Sequence, residues 1–247
     1  MRIFVAGATG YTGRAVVDEA LAHGHTVTAH VRPGSPSGDA AASRFAAAGA
    51  LVSRAPWGGD ALADALAECR PEVVFALLGT TRARGAAAAQ AGRVETYETI
   101  DRDLTLELLR AAEALALRPV FVYLSSLGAD RPGGNAYLQA RAAVERALAD
   151  SPLPQVIARP SFITGADRAE DRPGERWGAA AADLALGVIG AVGARRFADR
   201  LRSIGATELA RGLLRAAGER HAAGAGSVVC DSADLRDHPQ KAADIRP

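Results

Sequence analysis

The sequence is poor in the residue types that mark several classes of protein. It has two cysteines, Cys69 and Cys230, which lie far apart and form no C-x-x-C pair. This excludes a disulfide-based secreted framework and fits a reducing compartment. The net charge of +1 shows no excess of basic residues, so we expect no nucleic-acid partner. Only one of the 29 basic residues is a lysine, Lys241.

Long hydrophobic runs and targeting patterns are also missing. The longest apolar stretch, residues 179–192, is interrupted by Asp183 and is too short to cross a bilayer. Met1 to Gly7 does not have the charged leader, apolar core and cleavage site of a signal peptide. We therefore expect a cytoplasmic protein with no membrane partner. No histidine or cysteine spacing matches a metal site, and we expect no metal.

Strand-like and helix-like segments alternate along the chain. Continuously apolar runs such as Val73–Leu78 and Val120–Leu124 are typical of central strands in a parallel sheet. Other strands are predicted at 3–6, 26–31, 51–54, 155–158 and 227–230, and helices at 14–22, 61–68, 100–117, 136–149, 179–192 and 207–217. The pattern predicts an α/β fold, a doubly wound parallel sheet (Rossmann fold), over residues 1–165. Residues 166–247 are predicted to form a small substrate-side cap with one returning strand, not an independent domain.

A glycine-rich turn opens the chain directly after the first strand and before the first helix. Gly7, Gly10 and Gly13 have the spacing GxxGxxG within the segment GATGYTG. Such glycines permit a tight turn, a close approach of the backbone to a pyrophosphate, and close packing of helix on strand. The helix start would offer free N–H groups and the positive end of its dipole to phosphates. The turn predicts dinucleotide binding; the alternative is a glycine turn that binds nothing.

The end of the second strand bears on which dinucleotide binds. An acidic residue there would bind a ribose 2′-hydroxyl, but the sequence has Arg32 and no carboxylate before Asp39. A guanidinium can bind a 2′-phosphate through paired, charge-assisted hydrogen bonds. The sequence therefore favours NADP over NAD, unless Arg32 is an ordinary loop arginine.

A serine, a tyrosine and an arginine follow the fifth strand. Tyr137 and Arg141 are four residues apart, on one face of a predicted helix. Ser126, with Ser125 as the alternative, follows the strand and could meet them in one cleft.

Here the chain resembles atypical members of the short-chain dehydrogenase/reductase superfamily, specifically the Tat-interacting-protein-like NAD(P)H-binding oxidoreductases. The similar segments are GATGYTG, LLGTTRARG (77–85), TIDRDLTLELLRAAEA (99–114), YLSSLGAD (123–130), NAYLQARAAVE (135–145) and ARPSFITGADR (158–168). Together they cover most of residues 1–170.

The resemblance implies a role for each matching position. Tyr137 would donate or accept the proton, with Ser126 bound to the reacting oxygen and Arg141 in the third catalytic position. The cofactor would be held by Gly7, Thr9, Gly10, Tyr11, Thr12 and Gly13 at the phosphates, Arg32 at the adenosine 2′-phosphate, Leu78 and Gly79 near the adenine ribose, and Tyr137, Arg141 and Ile163 at the nicotinamide.

Two positions depart from the family pattern. Arg141 stands where the family has lysine; a cation at about 4 Å can stabilise a phenolate by roughly 4 kcal/mol, but arginine cannot relay a proton. Ala55-Pro56-Trp57 replaces an acidic residue after the third strand, so adenine would rest on an apolar or aromatic surface. Two functions stay open: an enzyme transferring hydride between NADP(H) and a carbonyl or alcohol substrate, and a catalytically weak NADP(H)-binding redox sensor. The chain would act as a monomer or homodimer.

Overall fold

Helices and strands alternate along the chain in the computed structural model, which describes residues 1–35, 37–131, 133–164 and 199–236. The strands are β1 Arg2–Ala6, β2 Thr26–His30, β3 Leu51–Ser53, β4 Val73–Ala76, β5 Val120–Leu124, β6 Gln155–Arg159, β7 Ile163–Thr164, β8 Ile204–Gly205 and β9 Ser227–Asp231. The helices are α1 Tyr11–Ala22, α2 Gly38–Ala47, α3 Ala61–Cys69, α4 Arg82–Gln90, a π-helix Tyr97–Asp103, α5 Leu104–Glu113, α6 Ala136–Ala149, α7 Ala206–Ala223 and α8 Ser232–Leu235.

Seven parallel strands form one sheet in the order β3-β2-β1-β4-β5-β6-β9. The chain runs outward from β1 to β3, then returns to place β4 on the other side of β1. This change of direction leaves a crevice at the carboxyl ends of β1 and β4, where ligands bind in open α/β sheets. The prediction of a doubly wound parallel sheet is confirmed.

Both faces of the sheet are covered, so its central strands are buried throughout. Along β4, Val73 and Phe75 pack into the core under α1 and α7, whereas Val74 and Ala76 pack into the core under α3, α5 and α6. This alternation is the two-residue period of a strand buried on both sides, and it explains the continuous apolar run at this position.

One predicted helix differs from the observed structure. Residues 100–117 were expected to be a single α-helix, but a π-helix covers Tyr97–Asp103 and α5 begins at Leu104. The π-helix starts with a reciprocal cap between Thr96 and Thr99. Its wide turns direct the Asp101 side chain into the protein interior, where the carboxylate finds a buried arginine. Short π segments of this kind are frequent at functional sites.

The C-terminal part returns to the main sheet. Strand β9 pairs with β6, and α7 packs against α1 with an ion pair of 3.0 Å between Arg211 Nε and Glu19 Oε2. The predicted helix at 179–192 lies outside the described residues, so the cap and the division at residue 165 stay predictions. Of the helices that are described, none is long and apolar enough to cross a membrane.

Candidate functional site

The glycine-rich turn is shaped by close contacts between backbone segments. Gly7 has a φ of 80°, and a Cβ there would lie 2.4 Å from the carbonyl oxygen of Leu77, beyond the end of β4. A Cβ on Gly13 would lie 2.1 Å from the Gly7 oxygen. Because side chains are sterically excluded at both positions, the turn can lie against the end of β4 and α1 can begin directly beneath it.

The start of α1 is suited to an anion. The helix follows Gly10, which has no side chain to cap it, so the first N–H groups and the positive end of the dipole are left for a ligand. Tyr11 and Thr12 line the cavity beside this helix end. Arg14, two residues after Thr12, adds a cation. Its Nη1 donates a hydrogen bond to the Thr9 oxygen at 2.8 Å.

Two connected lobes of a cavity extend from this turn. The lobe of about 320 Å³ lies beyond the end of β2 and is called the β2 lobe; the lobe of about 390 Å³ lies beyond the end of β5 and is called the β5 lobe. Gly10, Leu77, Leu78, Gly79 and Thr80 line both lobes. The phosphate-suited turn therefore stands between two compartments, the arrangement that a dinucleotide requires.

An arginine–glutamate pair marks the β2 lobe. Arg32 Nη2 lies 2.9 Å from Glu95 Oε1, and the side chains are 39% and 14% exposed. The same lobe is lined by two more arginines and two hydroxyl side chains: Arg84, Arg93, Ser35 and Ser37. Among the described side chains that line this lobe, three arginines accompany one carboxylate, that of Glu95.

Aromatic rings form another wall of the β2 lobe. His30 stacks on Phe4, with ring centroids 5.8 Å apart, and meets Trp57 edge to face at 5.1 Å. Burial lowers the pKa of His30, although its hydrogen bond to the Ala55 oxygen opposes this. The ring is therefore neutral at pH 7, with Nε2–H donating to Ala55 at 2.8 Å. These rings offer an apolar surface against which a planar base can pack.

Arg141 is fixed at the base of the β5 lobe. Its Nη2 lies 2.7 Å from Asp101 Oδ1 and 3.2 Å from the Leu78 oxygen, while Nη1 donates to the Leu124 oxygen at 2.6 Å. The side chains of Arg141 and Asp101 are 6% and 0% exposed. The guanidinium thus bridges the ends of β4 and β5 and the π-helix.

The surroundings of Arg141 shift the pKa values of the ionisable groups at the base of the β5 lobe. Burial tends to lower the pKa of Arg141, but attraction to Tyr123, Tyr137 and Asp101 outweighs burial and raises it. Burial raises the pKa of Asp101, although Arg141 and the Thr80 N–H at 2.9 Å favour the carboxylate. Burial also raises the pKa of Tyr123 to about 12. A phenol in this position stays protonated at neutral pH.

Gly79 is needed for the close packing around this pair. A Cβ at Gly79 would lie 3.1 Å from Arg141 Nη2 and 3.5 Å from Asp101 Oδ1. The glycine therefore lets the chain after β4 pass over the ion pair.

Tyr137 lies above Arg141 in the β5 lobe. The Arg141 guanidinium carbon is 5.1 Å from the Tyr137 ring centroid, and Tyr97 meets the same ring edge to face at 5.4 Å. Ser125 lines the lobe and donates from Oγ to Glu145 Oε1 at 2.5 Å. The other carboxylate oxygen of Glu145 is paired with Arg159 at 2.5 Å.

Unpartnered polar atoms in the cavity wall also fit a nucleotide. Among the described residues, Arg141 Nε and Thr80 Oγ1 are buried without a hydrogen-bond partner. Burying such groups costs free energy unless a ligand binds them. Both residues line the β5 lobe, where a ribose would offer hydroxyl groups.

The structure brings most of the predicted site residues to the cavity. Those that line it are Gly7, Thr9, Gly10, Tyr11, Thr12, Arg32, Leu78, Gly79, Tyr137, Arg141 and Ile163. Gly13 acts in packing below the turn, and Ser126 is not among the lining residues, whereas Ser125 is.

Several site residues escaped the sequence reasoning: Arg14, Thr80, Glu95, Asp101 and Glu145. Arg14 directly follows Gly13 and Glu145 lies on α6 with Tyr137, but neither has a recognised motif spacing. Thr80, Glu95 and Asp101 are brought to the site by tertiary contacts alone. Within the described residues, no cluster of histidine, cysteine and acidic side chains could hold a metal ion.

Comparison with known proteins places this cavity in context. A family model described as NAD(P)H-binding matches residues 7–182. The chain is 35% identical over 123 residues to the mitochondrial protein fmp52 of Emericella nidulans, covering 49% of this chain and 48% of that protein. It is 32% identical over 181 residues to a 3-diazoavenalumate denitrifying reductase of Streptomyces, covering 67% of this chain and 57% of the reductase. The chain thus spans about half the length of the relatives it matches.

Solved structures agree with the fold. A candidate epimerase from Burkholderia cenocepacia J2315 is 25% identical, with a TM-score of 0.62 over 93% of this chain and 75% of that one. A candidate NAD-dependent epimerase/dehydratase from Bacillus halodurans gives a TM-score of 0.64 over 95% of this chain and 98% of that one. At 19% identity, the second likeness shows the fold alone.

The same comparison corrects one prediction. A cytoplasmic location was expected from the first residues of the chain, but the matched proteins of Emericella nidulans, Coccidioides immitis and Aspergillus oryzae are all named mitochondrial. The prediction of a cytoplasmic protein is therefore wrong; a start without a signal-peptide pattern does not determine the compartment.

Proposed function

The chain belongs to the NAD(P)H-binding family, and we propose that it is an NADP(H)-dependent oxidoreductase acting on a carbonyl or alcohol substrate. Its resemblance to atypical short-chain dehydrogenases/reductases fits this family and the reductase-like and epimerase-like neighbours. The observation that carries the proposal is the meeting of Tyr137, Arg141 and Ser125 in the β5 lobe, beside the phosphate-suited turn.

The lining residues would bind different parts of the cofactor in the two lobes. The pyrophosphate would lie at the turn and the start of α1, near Arg14. Adenosine would occupy the β2 lobe against Trp57, and the nicotinamide ribose would meet Thr80 Oγ1 and Arg141 Nε in the β5 lobe. When bound, the nicotinamide supplies or accepts the hydride.

Tyr137 would handle the proton of the reaction. In reduction, the Tyr137 hydroxyl would give its proton to the carbonyl oxygen while the carbonyl carbon takes up the hydride, so that the products are an alcohol and the Tyr137 phenolate. Arg141 lies 5.1 Å from the ring centroid and is held there by Asp101, so its charge is preorganised to stabilise that phenolate.

Ser125, rather than the predicted Ser126, would position the hydroxyl group of an alcohol substrate or of Tyr137. Its hydrogen is donated to Glu145, so its lone pairs are left for the lobe. It can therefore accept a hydrogen bond from the Tyr137 hydroxyl or from a substrate alcohol. We prefer Ser125 because it lines the β5 lobe, which Ser126 does not.

A preference for NADP(H) is supported by the lining of the β2 lobe. Arg32 can bind a 2′-phosphate through paired hydrogen bonds, and Arg93, Ser35 and Ser37 line the same lobe. Calorimetry should show tighter binding of NADPH than of NADH, with the difference reduced in Arg32→Ala. Equal affinities of the wild type for both nucleotides would contradict the preference.

The substrate-side cap is proposed for residues 166–247, as the sequence predicts, so that it begins just after β7. The short strands β7 and β8 pair with each other, so the chain leaves and re-enters the described fold at one place. The Tyr11 hydroxyl donates to the Thr164 oxygen at 3.3 Å at this point, and Ile163 lines the β5 lobe. Residues that follow Thr164 thus start next to the proposed reaction site.

A redox sensor is the second candidate function. It is favoured by Arg141, whose two Nη atoms are engaged by Asp101, Leu78, Leu124 and Tyr123. An arginine held in this way cannot relay protons to solvent as a lysine could. A sensor would bind the nucleotide but reduce no carbonyl compound.

A panel of aldehydes and ketones, followed by NADPH oxidation, separates the two functions. For an enzyme, Tyr137→Phe should lower kcat by about 10²–10⁴-fold, while calorimetry still detects NADPH binding. Turnover that survives Tyr137→Phe would remove Tyr137 from the mechanism. NADPH binding without turnover of any carbonyl compound would favour the sensor.

A further inference from the structure

We propose that Glu95 sets how strongly the protein discriminates between NADP(H) and NAD(H). Its carboxylate would accept a hydrogen bond from the adenosine ribose 2′-hydroxyl of NAD(H) and repel the 2′-phosphate of NADP(H). This inference rests on the proposed nucleotide-binding function and adds a residue that opposes Arg32 at the same position.

The first support is the place of the carboxylate. The sequence has no acid at the end of β2, but the structure brings one there from the segment between α4 and the π-helix. Glu95 Oε1 lies 2.9 Å from Arg32 Nη2, and both residues line the β2 lobe. A carboxylate in such a position is the usual partner of a ribose hydroxyl.

The second support is that Glu95 is held in place by backbone packing. A Cβ at Gly85 would lie 2.8 Å from the Glu95 backbone oxygen, so the absence of a side chain at Gly85 lets this segment lie against α4. The carboxylate is the more buried member of the pair, with 14% exposure against 39% for Arg32. Arg32 can therefore turn toward a ligand while Glu95 remains.

The third support is the free acceptor capacity of Glu95. Within the described residues, Arg32 is the one hydrogen-bond partner of its carboxylate, and Oε2 remains available for a hydroxyl donor. A 2′-phosphate carries about two negative charges at pH 7, so bringing it beside Glu95 is opposed by like-charge repulsion. The pair thus gives each nucleotide one favourable group, Arg32 for NADP(H) and Glu95 for NAD(H).

The test is a comparison of nucleotide affinities in the full chain by calorimetry. NADPH and NADH are measured together with adenosine 2′,5′-bisphosphate and adenosine 5′-monophosphate, which lack the nicotinamide. The variant Glu95→Gln keeps the shape and removes the charge. Glu68→Gln, on α3 and outside both lobes, makes the same change in net charge and serves as the matched control.

Glu95→Gln should raise the ratio of NADPH to NADH affinity by about tenfold or more, equivalent to about 1.4 kcal/mol. The two adenosine fragments should show the same change, and Glu68→Gln should leave both ratios within about twofold. Glu95→Ala, which removes the same charge, should shift the ratio in the same direction. Thermal melting of each variant confirms that it is folded.

An unchanged ratio in both Glu95 variants, or equal loss for all four ligands, would overturn the assignment, because a merely structural residue would not distinguish them. A wild-type protein that binds none of the four ligands would instead overturn the proposed function itself. The two failures are therefore distinguishable.

Discussion

The cavity holds two arginine–carboxylate pairs of nearly equal length and very different exposure. In the β2 lobe, Arg32 and Glu95 are 2.9 Å apart and their side chains are 39% and 14% exposed. At the base of the β5 lobe, Arg141 and Asp101 are 2.7 Å apart and their side chains are 6% and 0% exposed. The distances alone do not distinguish the pairs.

Burial gives the two pairs different uses. A partly exposed ion pair contributes about 0–1 kcal/mol and can be exchanged for a ligand at little cost. A buried pair must remain intact, because removing one partner leaves an uncompensated charge away from water. We therefore infer that Arg32–Glu95 is a recognition element that rearranges on binding, and that Arg141–Asp101 is a fixed support for the reaction site.

The largest effect is expected from breaking the buried pair. Asp101→Ala should lower the free energy of unfolding by about 3–5 kcal/mol, because Arg141 loses its counter-charge inside the protein. Glu95→Ala, the matched change in the exposed pair, should lower it by about 1 kcal/mol or less. Urea unfolding of both variants gives the comparison. Equal losses would show that burial does not distinguish the pairs.

Replacing arginine by lysine should lower the free energy of unfolding by a smaller amount. The loss should again be larger in the buried pair than in the partly exposed pair. Lysine has one nitrogen where Arg141 uses two, so Arg141→Lys cannot keep its contacts with Asp101, Leu78 and Leu124 together. We expect a loss of about 1–3 kcal/mol, the cost of a buried acceptor left unpaired. Arg32→Lys should stay within about 0.5 kcal/mol of the wild type. Urea unfolding checks this too; if Arg141→Lys were as stable as the wild type, the fixed role of the guanidinium would be disproved.

The smallest effect concerns pH and the wall of the β2 lobe. Burial lowers the pKa of His30 below its usual 6.5. Below that pH the unfolded chain therefore binds more protons than the folded one, and stability falls as the pH drops. For one proton the slope is at most about 1.4 kcal/mol per pH unit. Unfolding from pH 7 to 5 should show a shallower fall in His30→Gln. Parallel curves for variant and wild type would exclude His30 as a source of the fall.

The sequence was sufficient for the features that local patterns encode. Apolar runs such as Val73–Leu78 indicated the central strands, and the glycine turn indicated the phosphate site, because backbone contacts at Gly7 and Gly13 tolerate no side chain. The helical spacing of Tyr137 and Arg141 indicated that they share one face of a helix, and both line the β5 lobe. Each of these signals comes from residues that are only a few positions apart in the sequence.

The missed features depend on contacts between distant segments. Glu95 meets Arg32 across 63 residues and Asp101 meets Arg141 across 40, and no spacing rule connects them. The π-helix places Asp101 in a buried position, and helix propensity does not predict such a segment. The sequence has no acid between the end of β2 and Asp39, and the carboxylate that meets Arg32 comes from another part of the chain.

A crystal structure of the complex with NADP⁺ tests most directly whether the two pairs play different roles. We predict that Arg32 leaves Glu95 and binds the 2′-phosphate, while Arg141 keeps its contact with Asp101 and offers Nε to the nucleotide. Arg32 still paired with Glu95 in the complex, or Arg141 drawn away from Asp101, would contradict the division between an exchangeable pair and a fixed one.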